Sequence, residues 1–351
     1  MTESNTRLPA EWDRQDGILL TWPHAHSDWG QRLADVEPVF VAITHAVAQH
    51  QRVLISCFDS DHLFHVQRLL EDGDVSMGRI SLFEVPSNDV WVRDHGPISV
   101  IRDGGGPRLL DFGFNGWGRK YEYRLDNRVS RSLDNARAFG NTPMNSIDLI
   151  LEGGSIESDG AGTLLTTTNC LLSPQRNPEY DCVGLELVFA RELGTHRVLW
   201  LDKGALTGDD TDGHIDTLAR FCDPKTIAYV ACNDPKDADY PELVAMEAEL
   251  RKFRTEDGEP YRLVPLPLPA PKYDENGDRL PATYANFLVI NDAVLVPTYG
   301  DATDAIAMER LGECFPDREL IPINALPLVH QYGSIHCATM QLPAGTLENR
   351  P

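Results

Sequence analysis

The chain has 351 residues, of which 42% are hydrophobic and 24% charged, a mixture typical of a globular protein with a large core. Acidic residues outnumber basic ones by 54 to 31, which gives a formal net charge of −23 at pH 7. This balance argues against nucleic acid and anionic membranes as partners, and it suits a small cationic substrate.

Seven cysteines are dispersed along the chain without a C-x-x-C pair, which argues against a zinc knuckle and a dithiol redox motif. An odd, dispersed set is typical of reduced thiols inside the cell. Residues 1–12 contain charged residues and a proline where a signal peptide would be apolar, and no run of about 18 apolar residues follows. We therefore expect a cytoplasmic protein.

Hydrophobic periodicity predicts a repeated order of strand, strand, helix and strand. The predicted strands are 17–22, 52–57, 80–85, 91–101, 109–114, 149–156, 163–168, 197–201, 213–221, 226–230, 261–266, 284–290, 293–297, 319–323 and 335–341. The predicted helices are 37–49, 60–70, 180–192, 241–252 and 301–311. Each unit covers roughly fifty to seventy residues, more than most solenoid repeats.

The last predicted strand, 335–341, is expected to pair with the first unit and so to close a ring of units. No domain linker interrupts the pattern. The proline-rich segment 265–280 is predicted to be a long surface loop between strands.

The openings of successive units each carry a polar residue within an otherwise apolar strand. These residues are Asp94, Glu152, His214, Asn286 and Cys337, and the intervals between them are close to one unit each. Taken singly, each has a structural explanation, such as an ion pair or a buried hydrogen bond. Taken together, they would converge if equivalent strands surround one axis, and this favours a functional site.

The residue types suit hydrolysis of a guanidinium group. Asp94 and Asp216 would hold the planar cation by bidentate hydrogen bonds, and Cys337 would attack its central carbon. His214 would protonate the departing ammonia and later deprotonate water, with Glu152 orienting the imidazole. His214 and Asp216 are expected on one face of a strand, because alternate residues point the same way. The scheme requires no cofactor and no metal.

Six motifs follow one another in order: W-V-R-D-H-G-P (91–97), L-E-G-G (151–154), T-D-G-H-I-D (211–216), Y-A-N-F (284–287), V-P-T-Y-G-D (296–301) and I-H-C-A-T (335–339). This set resembles the agmatine deiminase and bacterial peptidylarginine deiminase family of the guanidino-group-modifying superfamily. The resemblance covers nearly the whole chain.

The resemblance implies a single α/β domain over residues 1–351, a five-unit propeller (pentein) with pseudo-five-fold repeats of mixed sheet and helix around a central site. It also implies a covalent thiouronium on Cys337 and conversion of a guanidino group to a ureido group with release of ammonia. The expected reaction converts agmatine to N-carbamoylputrescine in putrescine biosynthesis.

The side chains expected to contact the substrate are Asp94, Asp216, Trp91, Asp210 and Asn286. Agmatine deiminases carry Gly-Gly-Gly-Asn before I-H-C, where this chain has Q-Y-G-S (331–334), and a glutamate at the position of Asp210. Free arginine and peptidyl-arginine therefore stay open as alternative substrates.

An arginine site should offer a basic side chain to the α-carboxylate, and Arg119 and Lys120 are candidates. Two further classes are a metal hydrolase built on His214 and Asp216 and a guanidine-binding protein without activity. The first leaves Cys337 unexplained, and the intact cysteine and histidine argue against the second. A homo-oligomer is compatible with a ring of units.

Overall fold

The computed structural model describes residues 6–102 and 104–347. Its strands are β1 Thr6–Arg7, β2 Gln15–Thr21, β3 Arg52–Cys57, β4 Ile80–Glu84, β5 Ile98–Arg102, β6 Gly106–Gly113, β7 Met144–Ile150, β8 Ile156–Ser158, β9 Thr163–Thr167, β10 Arg197–Leu201, β11 Ala219–Asp223, β12 Thr226–Ala231, β13 Arg262–Pro267, β14 Lys272–Tyr273, β15 Arg279–Leu280, β16 Leu288–Ile290, β17 Ala293–Thr298, β18 Glu319–Asn324 and β19 Thr339–Pro343. The α-helices are α1 Leu33–His50, α2 Ser60–Asp72, α3 Val92–His95, α4 Gly116–Arg119, α5 Val129–Asn135, α6 Thr168–Leu171, α7 Cys182–Leu193, α8 Tyr240–Leu250, α9 Asp304–Cys314 and α10 Leu326–Val329.

The mixed sheets repeat one connection. An antiparallel pair is followed by a helical crossover and a parallel strand, as a parallel connection requires. The sheets with this pattern have the orders β19-β2-β3-β4, β1-β5-β6-β7, β8-β9-β10, β11-β12-β13 and β16-β17-β18, and β14 and β15 form a separate hairpin. The fold is therefore mixed α/β, and the predicted order of strand, strand, helix and strand is confirmed.

The two ends of the chain meet in one sheet. Strand β19 pairs antiparallel with β2, so that Met340 lies opposite Leu19. The pairing predicted for the last strand is confirmed, although the strand begins at Thr339 and not at residue 335.

Helix α1 links the first and last sheets. Its buried residues Val36, Phe40, Ile43 and Val47 recur at helical spacing and form one apolar stripe. The helix contacts β3 of its own sheet and β18 of the last sheet. Each large side chain buried there contributes about 1.5–3 kcal/mol of transfer free energy. None of the described helices combines the length and apolar character needed to cross a bilayer.

The segments that carry the predicted site residues are not strands where strands were expected. Segment 91–101 starts with helix α3, and segment 213–221 starts with a 3-10 turn, Ile215–Thr217. The prediction that His214 and Asp216 lie on one face of a strand is therefore wrong. The same is true of residues 284–287, which precede β16. Polar side chains and glycines interrupt the alternating pattern in these segments, and local turns take its place.

The predicted long loop 265–280 is also partly wrong. Its first residues belong to β13, and its second half forms the β14–β15 hairpin, in which Lys272 faces Leu280. The turn of this hairpin is closed by Asp274, whose Oδ1 accepts hydrogen bonds from the backbone N–H groups of Asn276 and Asp278.

Candidate active site

One narrow pocket collects side chains from the starts of several units. Its lining includes three carboxylates, four aromatic rings and one thiol: Asp89, Asp94, Asp210, Trp91, Trp117, Tyr121, Tyr332 and Cys337. Among the described residues that line it, none is an arginine, a lysine or a histidine. The pocket therefore has the polarity that a cation prefers.

The thiol of Cys337 is held in the turn before β19. The side-chain amide of Asn286 donates to Sγ at 3.2 Å, and its oxygen accepts from the backbone N–H of Cys337 at 3.2 Å. Sγ lies 3.6 Å from Oδ2 of Asp216. Burial, followed by the charges of Asp216 and Asp94, raises the pKa of Cys337 well above its usual value. In the free protein the thiol keeps its proton.

Asp94 lies on α3 and is fixed by two donors. Its Oδ2 accepts from Nε1 of Trp117 at 2.9 Å, and its Oδ1 accepts from the backbone N–H of Gly154 at 3.0 Å. Nδ1 of His214 lies 3.6 Å from Oδ1. Burial raises the pKa of Asp94 to about 6, although the charge of His214 opposes the shift.

His214 is fully buried at the start of the 3-10 turn. Burial alone would lower its pKa, but the charge of Asp94 and the nearby Cys170 hold that pKa well above the usual value. Its two ring nitrogens have no hydrogen-bond partner within residues 6–102 and 104–347. The imidazole of His214 can therefore act as an acid, and neither of its ring N–H groups donates a hydrogen bond to a described residue.

Glu152 was predicted to orient the imidazole of His214, but it makes no hydrogen bond with this ring. Both of its oxygens accept from Nε of Arg176, each at 2.9 Å. Arg176 also donates to Oδ2 of Asp212 at 2.6 Å and to the carbonyl of Thr211 at 2.9 Å. Arg176 joins Glu152 to the loop before His214. It was not predicted from the sequence, because it belongs to no periodic pattern.

Glu152, Cys170 and His214 offer ligand atoms within 4.8 Å of one another, a spacing that a metal ion could bridge. The guanidinium of Arg176, whose Nε–H is shared by both oxygens of Glu152, already neutralises this carboxylate, so a divalent cation would meet a positive charge in this cluster. Asp216, the other ligand considered for a metal hydrolase, is bound to His336 instead. The donor set does not fit a catalytic metal.

Asp216 completes the centre of the site. Its Oδ2 accepts from Nδ1 of His336 at 2.7 Å, whereas Oδ1 has no partner in the described part of the chain. Burial would raise the pKa of Asp216, but the hydrogen bond and the charge of His336 lower it below the usual value. Asp216 is therefore an ionised carboxylate whose Oδ1 receives no hydrogen bond from the described residues.

Gly154 explains the glycine pair that follows Glu152. A Cβ atom at this position would lie 2.6 Å from Nδ1 of His214 and 2.8 Å from Oδ1 of Asp94. Only glycine lets these two side chains approach each other. In the lining of the pocket, Gly333 packs against the ring of Trp91, where a Cβ would lie 2.4 Å from a ring carbon.

The mouth of the pocket is acidic. Oδ2 of Asp210 accepts from the hydroxyl of Tyr121 at 2.6 Å, and Asp89 accepts from Nε1 of Trp29 at 2.9 Å. Burial raises the pKa of Asp89 to about 6. Lys120 donates to Oδ1 of Asp212 at 2.8 Å and to the carbonyl of Asp210, outside the lining.

The structure thus brings the predicted site residues together. Those that line the pocket or contact each other directly are Trp91, Asp94, Asp210, His214, Asp216, Asn286 and Cys337, and Glu152 lies beside His214. The basic candidates for an α-carboxylate, Arg119 and Lys120, are absent from the lining.

The family model of the Porphyromonas-type peptidyl-arginine deiminases matches residues 7–343. The chain belongs to this family. Among family relatives, an agmatine deiminase from Stutzerimonas stutzeri (strain A1501) is 31% identical over 365 residues, covering 96% of this chain and 95% of the relative. The solved structure of a Porphyromonas gingivalis protein with the provisional name arginine deiminase has a TM-score of 0.91 and 47% identity, covering 98% of this chain and 100% of that one. A substrate-bound C. jejuni agmatine deiminase has a TM-score of 0.90 and 34% identity, and the match covers 99% of both chains.

Proposed function

We propose that this protein hydrolyses agmatine to N-carbamoylputrescine and ammonia, a step of putrescine biosynthesis, through a covalent intermediate on Cys337. The observation that carries this proposal is a buried thiol that lies 3.6 Å from the carboxylate of Asp216 and feels the charge of Asp94, in a pocket whose described lining includes three carboxylates and no basic side chain. The agmatine deiminases among its relatives support it.

Asp94 and Asp216 are the proposed guanidinium clamp. Each has one carboxylate oxygen fixed by a side-chain donor, Trp117 for Asp94 and His336 for Asp216. Bidentate pairing with two carboxylates would fix the guanidinium plane and present its central carbon to Cys337, as attack requires.

Binding of the cation also activates the thiol. The charges of Asp216 and Asp94 contribute to the raised pKa of Cys337, and a bound guanidinium cancels them. The thiol then releases its proton to solvent, and the thiolate lies next to a positive carbon. Substrate binding thus generates the nucleophile where it is needed.

The covalent steps use His214 as acid and then as base. Sγ of Cys337 bonds to the guanidinium carbon, the imidazolium of His214 donates its proton to one amino group, and the carbon–nitrogen bond breaks to release ammonia. The remaining thiouronium is attacked by water, whose proton His214 accepts. Collapse of the tetrahedral adduct breaks the carbon–sulfur bond, and the proton of its hydroxyl group passes to the departing sulfur. This gives the ureido product and the protonated thiol of Cys337, and His214 is again an imidazolium.

The acidic mouth favours agmatine over arginine. Agmatine ends in an ammonium group, which Asp89 and Asp210 can pair, whereas arginine adds an α-carboxylate that these side chains repel. A charge-assisted hydrogen bond contributes about 1.5–3 kcal/mol, so we expect kcat/KM for agmatine to exceed that for arginine by about 10- to 100-fold or more.

The decisive experiment measures ureido product from agmatine, free arginine and a peptide with C-terminal arginine. The proposal is supported if agmatine alone is converted, or if agmatine is converted much faster than the other two substrates. Faster conversion of arginine or of the peptide would support guanidine hydrolysis but contradict agmatine as the substrate. If none of the three is converted, guanidine hydrolysis itself is refuted.

Replacement of Asp210 by asparagine is expected to raise KM for agmatine about tenfold, with a smaller change in kcat. The substitution keeps the shape of the side chain and removes the charge that faces the distal ammonium group, and tenfold is the lower end of a charge-assisted contact. Steady-state kinetics with agmatine and arginine measure the effect.

The matched control is Asp234→Asn, which removes one charge from an exposed loop. It should leave KM unchanged, because loss of one of 54 acidic residues changes the overall field little. An equal rise in KM for both variants would assign the effect to net charge and contradict a role for Asp210.

The pH dependence of kcat/KM should report the ionisation of Asp94, one of the two carboxylates of the clamp. Because Asp94 must be ionised to hold a guanidinium and its pKa is raised to about 6, kcat/KM should fall about tenfold per pH unit below about pH 6. In Trp117→Phe the carboxylate loses a donor that favours its ionised form, so this acid limb should move to higher pH. Activity near pH 8 should be largely retained.

Trp200→Phe is the control for this experiment. Nε1 of Trp200 also donates to a carboxylate at 2.9 Å, that of Glu186, outside the pocket. The control should keep the wild-type profile. An acid limb that does not move in Trp117→Phe would show that Asp94 does not control it.

The proposal includes the architecture and setting of the enzyme. The five sheets of like connectivity would surround one axis as a propeller formed by a single domain, which is supported by the pairing of β19 with β2. All seven cysteines are free, which supports a reducing, cytoplasmic location.

A further inference from the structure

The imidazole of His336 lies between two buried carboxylates. Nδ1 is 2.7 Å from Oδ2 of Asp216, and Nε2 is 2.7 Å from Oε2 of Glu11. The ring is buried, and so are both carboxylates. The residue next to Cys337 in the chain therefore joins the proposed clamp to the N-terminal segment.

Two donors are needed to satisfy both contacts. A neutral imidazole carries one N–H, so its second nitrogen would point a lone pair at a carboxylate oxygen, whereas an imidazolium donates at both positions. Burial favours the neutral form of Glu11, but the charges of Arg220 and His336 lower its pKa well below the usual value. Nη2 of Arg93, 3.8 Å from Oε2, is a further cation beside Glu11. With both carboxylates ionised, each contact of the ring calls for an N–H donor.

Glu11 is itself immobilised. Its Oε1 accepts from the backbone N–H of Val289 at 2.6 Å, and its Oε2 accepts from Nη2 of Arg220 at 2.8 Å. Arg220 is held in turn by Glu157 at 2.7 Å. Because these bonds come from several sheets, Glu11 cannot follow His336 if the ring moves.

Asp216 depends on this support. It is fully buried, and His336 is the cation that donates a hydrogen bond to it, whereas the charges of His214 and Arg220 lower its pKa to a smaller extent. The charge of Asp94 and the protonated thiol of Cys337 offer it no compensation. A buried carboxylate without a cationic partner takes up a proton, and a protonated Asp216 could not clamp a guanidinium. Removal of the cation behind Asp216 should thus weaken substrate binding most at acidic pH.

We propose that His336 is a positioning residue that stays protonated between Glu11 and Asp216 and thereby holds Asp216 ionised and oriented toward the substrate. This inference rests on the proposed guanidine hydrolysis for its kinetic consequence, but the charge of the ring can be tested independently. His336 touches no reacting atom, so its effect passes through Asp216.

The first test measures agmatine binding by calorimetry in the Cys337→Ala background, with and without His336→Asn. Asparagine keeps a donor near the position of Nδ1 and removes the charge. The dissociation constant should rise at least about tenfold at pH 8, and the loss should grow by about another tenfold at pH 6. A merely structural role would not produce this pH dependence.

The control is His65→Asn in the same background. Nε2 of His65 also lies 2.7 Å from a carboxylate oxygen, that of Glu37, in the first unit. It should bind agmatine like its parent at both pH values. Glu11→Gln should weaken binding in the same direction as His336→Asn, and the double variant should be no worse than the stronger single one, because both act on one link.

The second test measures the protonation of the His336 imidazole directly, by nitrogen-15 NMR of the 11 histidines of the full-length wild-type protein. Near pH 8.5, two rings should show the paired shifts of an imidazolium, those of His214 and His336, and His214→Asn should leave one. A neutral ring at His336 would overturn the proposal, even if His336→Asn fails to fold.

Unchanged agmatine binding in His336→Asn at both pH values would also overturn it. If the Cys337→Ala parent itself does not bind agmatine, the proposed function fails, while the NMR measurement still decides the charge of His336. The two failures are therefore distinguishable.

Discussion

Replacement of Cys337 by alanine is expected to lower agmatine hydrolysis by about 10⁴-fold or more, while agmatine still binds. Loss of a covalent nucleophile removes the path through the intermediate, and the residual rate is that of a site that only orients its substrate. The clamp of Asp94 and Asp216 does not depend on the sulfur for its own hydrogen bonds with Trp117 and His336. Product formation and calorimetric binding measure the two parts separately.

Cys182→Ala is the matched control, because this cysteine is also free and lies partly exposed at the start of α7. It should retain full activity. Turnover that survives in Cys337→Ala would refute the covalent mechanism, and equal losses in both variants would point to a general effect of cysteine replacement.

Periodicity predicted the sheets well because their strands and helices are buried in regular patterns. Strand β3 has the predicted bounds, and α2 begins at the predicted residue with Asp59 as its N-cap, which accepts from the backbone N–H of His62 at 2.8 Å. These features depend on neighbours in the sequence. Local pattern was therefore enough to find them.

The segments of the site were harder to predict, although their residues were found. Cys337 was expected within a strand, but it lies in a turn whose backbone N–H is bound by the side chain of Asn286, about fifty positions earlier in the chain. Asp94 likewise lies on a helical turn that Gly154 and Trp117 complete. Contacts between distant units decide these conformations, and a local pattern does not contain them.

The same reason explains why two supporting residues of the site were not predicted from the sequence. Glu11 and Arg176 stand in segments without regular secondary structure, and their partners are Arg220 and Glu152. The I-H-C-A-T motif (335–339) included His336 without showing that its ring contacts Glu11. The chemistry of the site was predictable from residue types, but its supporting ion pairs required the fold.

Gly154→Ala is expected to lower kcat/KM for agmatine by about 100-fold or more and to lower the free energy of unfolding by only about 1–3 kcal/mol. The added methyl group would lie 2.6 Å from Nδ1 of His214, 2.8 Å from Oδ1 of Asp94 and 3.1 Å from Oδ2 of Asp216. All three must shift by several tenths of an ångström, and displacements of about 1 Å in a catalytic arrangement cost about 100-fold in rate. Kinetics and a thermal melt separate the effect on the site from an effect on the fold.

Gly78→Ala provides the comparison, because a Cβ at that surface position would meet nothing within 4 Å. It should retain wild-type kinetics and stability. The backbone of Gly154 does not adopt the left-handed conformation that alanine avoids, so a loss of activity in Gly154→Ala comes from the contacts of the methyl group. If Gly154→Ala remains fully active, then His214, Asp94 and Asp216 do not need the close approach that the glycine permits, and the proposed geometry of acid and clamp is wrong.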